Sequence, residues 1–600
     1  GVYPAYLVQA AVSETLTSQG GASLDDALSV SMSPESRDGL GMTVLPKSLN
    51  ALRRRDDWAE GVLPGILKEL TGLRDKGVFE VIPCPAGRLN EVIPTFRIDC
   101  IKGDGRHKSR FVVLGNRTLG HGVHYTETAT SMATQTAVKM VASFAAGCGY
   151  DLYSIDFEQA FLNAEAGQDD LLIQLPDVPS ELLGMGLGDG KGSCSAEGVR
   201  LVGRLKKALY GLKDAPRLWQ QHLLRRLGSS SIGVEFLVTD RNVFRFRWQG
   251  ETLIGAIHVD DILFAPSSIG IKAEFIRRVR NEFAITGGDE RVDKFCGFQF
   301  RYDDDQKSIT IHQENFERLM LAKYGALGCK SCDTPMLVGS SPLTPWLGES
   351  SAKEQMDFMM FIGDLHWATR TNPRLAFCAT ILSTFVQNPG PAHMKAAQRV
   401  LEHMSGNIGQ GITFHGSDKV LNSVYPHRNK LIGATDADFS HAGRKSISGI
   451  AVMMNGGAIF HTSRTQSSVS MTSTEAEVKA AGLLAQTLEY IVPLWSELAG
   501  SKHGSVRCVM DNQTAIKHVS KGADAPAAAP YLRHKRMVEE KVYRGLLWFD
   551  FLHGQHNVAD VLTKQVRSTS EFKSKDGVIS GCVPRVFETE NMSRFLLKTQ

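Results

Sequence analysis

Apolar and polar residues alternate with a changing period along the chain, and the changes mark its elements. From Leu253 to Ala265 the sequence is apolar except at Gly255, His258, Asp260 and Asp261. Two apolar runs flanking a pair of carboxylates predict a β-hairpin with Asp260 and Asp261 at its tip. A second hairpin is predicted from Val92–Lys102 and Arg106–Leu114, which flank Gly103-Asp104-Gly105. On its second strand Arg106, Lys108 and Arg110 recur at period two and therefore share a face. Tyr153, Ile155 and Phe157 alternate with Ser154 and Asp156, as in a strand that buries one face and presents Asp156 on the other. Helical spacing covers Leu52–Lys76, Lys272–Phe283, Glu314–Tyr324 and most of 355–405, with a hairpin-like Phe295–His312 among them.

From Leu431 the order becomes strand, hairpin, helix, strand, helix. The strand Leu431–Thr435 ends at Asp436 and Asp438, and Ile447–Met454 and Ala458–Thr462 form the hairpin. Thr474 opens a helix that carries Glu477 and runs to about Leu498; Val506–Met510 ends at Asp511, and Asp560 lies near a late short helix. Singly, these carboxylates have structural readings: Glu477 as the capping-box partner of Thr474, Asp511 as a helix N-cap. Four of them at strand ends and first helical turns point instead to convergence at the open edge of an α/β sheet. The pair Asp260–Asp261 has the same implication. Adjacent carboxylates repel, so a fold that aims both one way favours a cation between them.

Composition narrows the classes. Six hundred residues at 42% hydrophobic exceed one core, and a formal charge of +3 leaves no global basic field. Polyanion binding must then be local. One candidate is the segment with Arg200, Arg204, Lys206, Lys207, Lys213, Arg217, Arg225 and Arg226, interleaved with Tyr210 and Trp219. It suits a phosphate backbone with stacked bases, and equally an amphipathic helix with exposed cations. Ten scattered cysteines, no secretory signal and no run of about 18 apolar residues favour a reducing, intracellular compartment and no membrane. Cys329-x-x-Cys332 lacks the further ligands of a zinc site. Residues 1–45, rich in Ser, Gly and Ala, read as a linker or disordered arm, and Gly184–Gly198 as an inserted loop. A start at Gly1 without Met is expected of a piece of a longer product.

The stretches SIDFEQAFLNAE (154–165), RLKKALYGLKDAPRLW (204–219), IHVDDIL (257–263), ITIHQENF (309–316) and FIGDLHWATRTNPRLAF (361–377) are followed by DADFSHAGRKSISG (436–449), SSVSMTSTEAE (467–477), MDNQTAI (510–516) and NVADVLTK (557–564). In this order, over roughly 46–565, they resemble the reverse transcriptase–ribonuclease H region of a copia-type LTR retrotransposon Pol polyprotein. The resemblance implies an α+β multidomain fold. A right-hand polymerase (fingers and palm over 46–268, thumb over 269–336) would precede a linker and helical connection over 337–428. An α/β ribonuclease H-like domain over 429–566 and a C-terminal tail over 567–600 would follow.

It implies RNA- and DNA-templated DNA synthesis from dNTPs by two-metal transfer, and cleavage of RNA in RNA–DNA hybrids. Asp156, Asp260 and Asp261 would be the polymerase's catalytic metal ligands; Asp436, Glu477, Asp511 and Asp560 would be those of the ribonuclease. Asp436 is preferred to Asp438 because it ends the strand directly. Lys108 and Arg110 would grip the triphosphate, Phe161 would exclude the ribose 2′-hydroxyl, and Asp214 would lie at the substrate in place of the family's glutamine. His553 or His556 would move a proton near Asp560. Mg²⁺, with Mn²⁺ as substitute, is the implied cofactor. RNA template, DNA primer, RNA–DNA hybrid, dNTPs and other Pol or Gag products are the implied partners, in a cytoplasmic retroelement particle or the nucleus. His258 replaces the family's aromatic residue before Val-Asp-Asp. Together with Asp214 it motivates a second reading, a catalytically impaired remnant that only binds nucleic acid.

Overall fold

A computed structural model describes residues 43–581, except 47, 102–104, 116–126, 169, 185–186, 188–192, 339–342, 418–427, 440–444, 521–530 and 566–567. Most of the expected arm (1–45), the end of the expected tail, Gly103 and Asp104 of the turn, and much of the 184–198 loop lie outside the described residues.

The chain opens with β1 (Thr43–Val44), α1 (Leu63–Asp75), β2 (Phe79–Pro83), β3 (Thr95–Ile101), β4 (His107–Val113), α2 (Gln135–Cys148), β5 (Tyr153–Phe157), β6 (Leu172–Ile173) and β7 (Leu201–Leu205). Strands β1, β3 and β4 form one sheet, in the order β1-β3-β4, and β2, β7 and β6 another, in the order β2-β7-β6. The single helix expected over Leu52–Lys76 is divided into Leu49–Arg53, a π-turn at Trp58–Val62, and α1. Pro64 lies in the first turn of α1, where a residue without an N–H is tolerated.

Next come α3 (Ala215–Leu227), β8 (Val234–Phe236), β9 (Val243–Trp248), β10 (Glu251–His258), β11 (Asp261–Pro266), α4 (Ile269–Glu282) and β12 (Ile285–Arg291). They build a six-stranded sheet in the order β12-β5-β11-β10-β9-β8. Phe264, fully buried on β11, packs against Tyr153 at 5.9 Å and Phe275 at 5.2 Å. Phe264→Ala should cost about 3–5 kcal/mol, read as an earlier first transition in urea unfolding followed by tryptophan fluorescence. Ile271, Phe275, Ile276 and Val279 make the buried stripe of α4 on this same core. β12 joins this sheet and α4 packs on it, so the sheet runs across the boundary expected at 268/269.

The following sheet, β13 (Lys294–Phe295), β14 (Phe298–Asp303), β15 (Ser308–His312) and β16 (Ile412–His415), also crosses an expected boundary, at 336/337. Helices α5 (Glu314–Lys323), α6 (Ala352–Ala368), α7 (Ala376–Ser383) and α8 (Pro391–Ser405) share one core through Leu321, Phe358, Leu365, Leu382 and Leu401.

The last unit holds β17 (Leu431–Asp438), β18 (Ile447–Met454), β19 (Gly457–Thr465), α9 (Ser473–Ala499), β20 (Val506–Met510), α10 (Gln513–Ser520), α11 (Leu532–Tyr543), β21 (Leu547–Phe551) and α12 (Thr569–Ile579). Its sheet order is β19-β18-β17-β20-β21, with β17, β20 and β21 parallel. Residues 569–579, expected in a tail, form a core helix: Phe572, Val578 and Ile579 pack with Ala451, Met453 and Leu562. The unit rests on α2, where Phe144 meets Trp495 at 5.8 Å. Among the described residues no helix is long and apolar enough to cross a membrane.

Candidate active sites

Register builds the first site. Strand β11 pairs antiparallel with β5 so that Asp261 stands directly opposite Asp156. His258 pairs with Asp261 across the β10–β11 hairpin, which leaves Val259 and Asp260 as its two-residue turn. Val259 adopts φ +57°, costly for a β-branched side chain. Two hydrogen bonds hold the turn: the Trp219 indole N–H donates to the Val259 carbonyl at 2.7 Å, and the Phe157 N–H to that of Asp260 at 2.9 Å. Asp156, Asp260 and Asp261 consequently bring one carboxyl oxygen each within 4.8 Å of one another.

Charges crowd there. Burial, and then the Asp260 carboxylate, push Asp261 up to about 8. Burial and Asp260 also raise Asp156, while Lys108 opposes the rise. Asp156 and Asp261, paired across the strands, titrate as a linked pair. An oxygen-only donor set of this kind fits a hard divalent cation.

The linkage has a definite sign. Asp261 holds its proton in the folded chain up to about 8, against 3.8 for an ordinary Asp. Its contribution to metal-free stability is thus complete below the ordinary value and is lost as pH rises through 8. A divalent ion displaces that proton, so the rise in Tm on adding Mg²⁺ should be larger at about pH 8.5 than at about pH 6.5. Asp261→Asn should flatten the difference, as differential scanning calorimetry would report.

Arg110 and Lys108 lie on β4, beside the cluster. The Arg110 guanidinium stacks on the Tyr210 ring at 4.6 Å and lies 3.9 Å from Glu69, a buried carboxylate on α1. Phe161 is buried, its ring 5.2 Å from the other aromatic of this stack, Tyr210. Tyr210 was expected only as a base-stacking residue. Its position follows from Gly211 at φ +95°, where any Cβ would run into the Val113 carbonyl oxygen, and from the Val113 N–H donating to the Tyr210 carbonyl at 2.8 Å.

Three expectations change here. Trp219 is 1% exposed and is a core residue holding the aspartate turn, not a stacking platform. Arg204, Lys206, Lys207 and Arg226 pair with Asp170, Glu80, Glu165 and Glu282, so much of the basic segment is neutralised locally. Asp214 is outside both carboxylate clusters: it precedes α3, its Oδ2 lies over Gly167, and burial raises its pKa. His258 is pushed down to about 4 by burial and its ring meets Phe295 edge-on at 6.2 Å, so it is neutral beside the cluster.

The second site lies at the carboxyl ends of β17 and β20. Asp436, fully buried near the end of β17, Asp511 just past β20, and Asp560 in the 3₁₀ turn Val558–Leu562 bring oxygens within 4.8 Å of one another. Gly449 stands opposite Asp436 on β18; a Cβ there would meet Leu562 and Thr563, so its absence lets the 3₁₀ turn cross close to the strand. Glu477 on α9 is buried and its Oε2 has no hydrogen-bond partner. Burial first, then Asp436 and Asp511, hold it well above the usual carboxylate range. Asp436 is raised to about 7 by burial, with Lys564 opposing.

The simple capping readings fail. Thr472 caps α9, accepting from the Glu475 N–H at 3.1 Å, and Asn512 accepts from the Ala515 N–H at 2.9 Å. Asp511 is left to the cluster; Glu477, expected as a fourth ligand, adjoins Asp436 and Asp511 electrostatically but is not among the three carboxylates whose oxygens converge. Asp438 ends β17 half-buried and is not a member. His553 and His556 flank Gly554, whose Cα approaches Asp511 so closely that a Cβ would lie 2.8 Å from its Oδ2. Sequence reading missed Thr563, Lys564 and Lys575. Thr563 donates its hydroxyl to Asp436, Lys564 lies 2.9 Å from Asp560 Oδ1, and Lys575 pairs with Asp560 Oδ2.

Residues 78–338 match the family described as reverse transcriptase (RNA-dependent DNA polymerase). The chain is 24% identical over 527 residues to the retrovirus-related Pol polyprotein from transposon TNT 1-94 of Nicotiana tabacum, covering 84% of this chain and 37% of that protein. It is 24% identical over 488 residues to the one from transposon RE1 of Arabidopsis thaliana, covering 79% and 30%. It thus spans about a third of the length of these curated relatives. A foamy viral protease-reverse transcriptase solved in complex with double-stranded DNA is 12% identical, with a TM-score of 0.45 over 91% of this chain and 81% of that one.

Proposed function

We propose, from the premise that this chain belongs to the reverse transcriptase family of copia-type retrotransposon Pol polyproteins, that it copies RNA and DNA templates into DNA and cleaves RNA paired to DNA. The observation that carries the reading is the pairing of Asp156 with Asp261 across β5 and β11, with Asp260 in the adjoining turn. A three-carboxylate edge beside two cations is the donor set that nucleotidyl transfer uses.

In this reading β5, β9, β10, β11, α4 and β12 form the palm, the β3–β4 strands and α1 the fingers, and the unit from Lys294 to His415, with its shared sheet and helical core, the thumb and connection. The unit from Leu431 to α12 is the ribonuclease H-like domain. Asp156, Asp260 and Asp261 hold divalent ions at the polymerase centre, and Asp436, Glu477, Asp511 and Asp560 at the ribonuclease centre. Bound there, Mg²⁺ or Mn²⁺ would lower the pKa of the attacking hydroxyl or water and offset charge on the leaving oxygen.

The protein does the rest. Lys108 and Arg110 bind the triphosphate; Arg110 leaves Glu69 for it while Tyr210 keeps the guanidinium plane oriented. Phe161, backed by Tyr210, closes the space beside the sugar to a 2′-hydroxyl. His258, neutral and edge-on against Phe295, puts no cation beside the cluster, which supports this reading over that of a remnant that only binds nucleic acid.

The test is one reaction: a labelled RNA annealed to a labelled DNA primer, with dNTPs and Mg²⁺. The primer should lengthen and the paired RNA shorten. Binding without either change would favour the remnant.

A further inference from the structure

Asp560 carries an ammonium group on each carboxyl oxygen, and the two lysines that supply them differ in every other respect. Lys575 reaches Oδ2 from α12; its side chain is 1% exposed, and its Nζ also lies 2.6 Å from Glu571 Oε1. Its helix is fixed by the buried Phe572, Val578 and Ile579. The next residue, Asp576, lies 3.3 Å from the buried Arg374 guanidinium of the 3₁₀ turn Pro373–Leu375. Lys564, 38% exposed, reaches Oδ1 at 2.9 Å and bridges to Asp436 Oδ2 at 3.4 Å. Its ammonium therefore stands between two of the three carboxylates whose oxygens converge within 4.8 Å.

Lys575 and its carboxylate are both buried, so that pair is costly to break, whereas the part-exposed Lys564 can withdraw its ammonium to water. We infer that the lysines divide the work: Lys575 is a positioning residue that fixes Asp560 and reserves its Oδ2, and Lys564 is a resident cation that a divalent ion displaces. The inference rests on the ribonuclease reading of this cluster. It leaves Asp560 one oxygen, Oδ1, for a metal. It makes α12 part of the site, so a chain ending at 566 would lack a residue the metal centre needs. It also sets the metal affinity below that of the same carboxylates without Lys564, because an ammonium must first move aside.

The test is Mn²⁺ binding to the full chain carrying Asp260→Asn and Asp261→Asn, with free Mn²⁺ followed by electron paramagnetic resonance. Adding Lys564→Met should tighten binding at least about twofold, since the ammonium competes with the metal for two buried carboxylates. Adding Lys575→Met should weaken it about ten- to a hundredfold, the usual effect of losing a partner that orients a metal ligand. Should Lys575→Met not fold, Lys575→Arg carries the test, since it keeps the charge but not the fit and should weaken binding as well. Unchanged or weaker binding with Lys564→Met overturns the resident-cation role. Unchanged or tighter binding with a Lys575 variant overturns the positioning role. If the parent binds Mn²⁺ and neither lysine matters, this inference falls alone; if it binds none, the ribonuclease reading falls with it.

Discussion

Asp260→Asn should abolish primer extension, with a loss of at least about a thousandfold, or about 4 kcal/mol of transition-state stabilisation, and should leave RNA cleavage intact. Asp260 sits in a two-residue turn, and its backbone carbonyl is held by Phe157 whatever the side chain. An amide of the same shape keeps that turn. It removes the one carboxylate whose charge raises both Asp156 and Asp261. The fold and hybrid binding should therefore be unchanged while the metal centre is lost. Single-turnover extension, with circular dichroism as the control for folding, measures this.

The converse is expected of Glu477→Gln: RNA cleavage falls by at least about a hundredfold, or about 2.7 kcal/mol, while extension persists. Glu477 is buried with an unpartnered Oε2 and shares its surroundings with Asp436 and Asp511. That arrangement is costly without a counter-cation. Replacing the carboxylate with an amide relieves the cost, so the metal-free variant should melt at a higher temperature than the parent even as it loses cleavage. A variant that is inactive and less stable would point to a structural role for Glu477. Joint loss of both activities would mean that the two centres are not separate.

Much of this was readable because it is local. The β10–β11 hairpin follows from apolar runs around two aspartates, and β17, β18 and β20 appear close to where their patterns end. Non-local features were not readable. That Asp156 faces Asp261 depends on the register of strands far apart in sequence. Trp219 looked like a base-stacking residue because its composition and neighbours fit one; only packing turns its indole toward Val259. The cations of 200–226 looked available because their carboxylate partners lie on other elements. The boundaries at 268, 336 and 566 followed the order of motifs, whereas the cores follow sheet membership. Lys575 had no signal at all, since a lysine on a short helix after a loop reads as solvated.

A working polymerase centre at the Asp156–Asp260–Asp261 edge must add nucleotides to a primer. The most direct measurement is extension of a DNA primer on an all-RNA template by the unsubstituted chain, in Mg²⁺ and separately in Mn²⁺. Template-directed addition of dNTPs in at least one metal is the expected result. Tight binding of the primed template with no added nucleotide in either metal would contradict it.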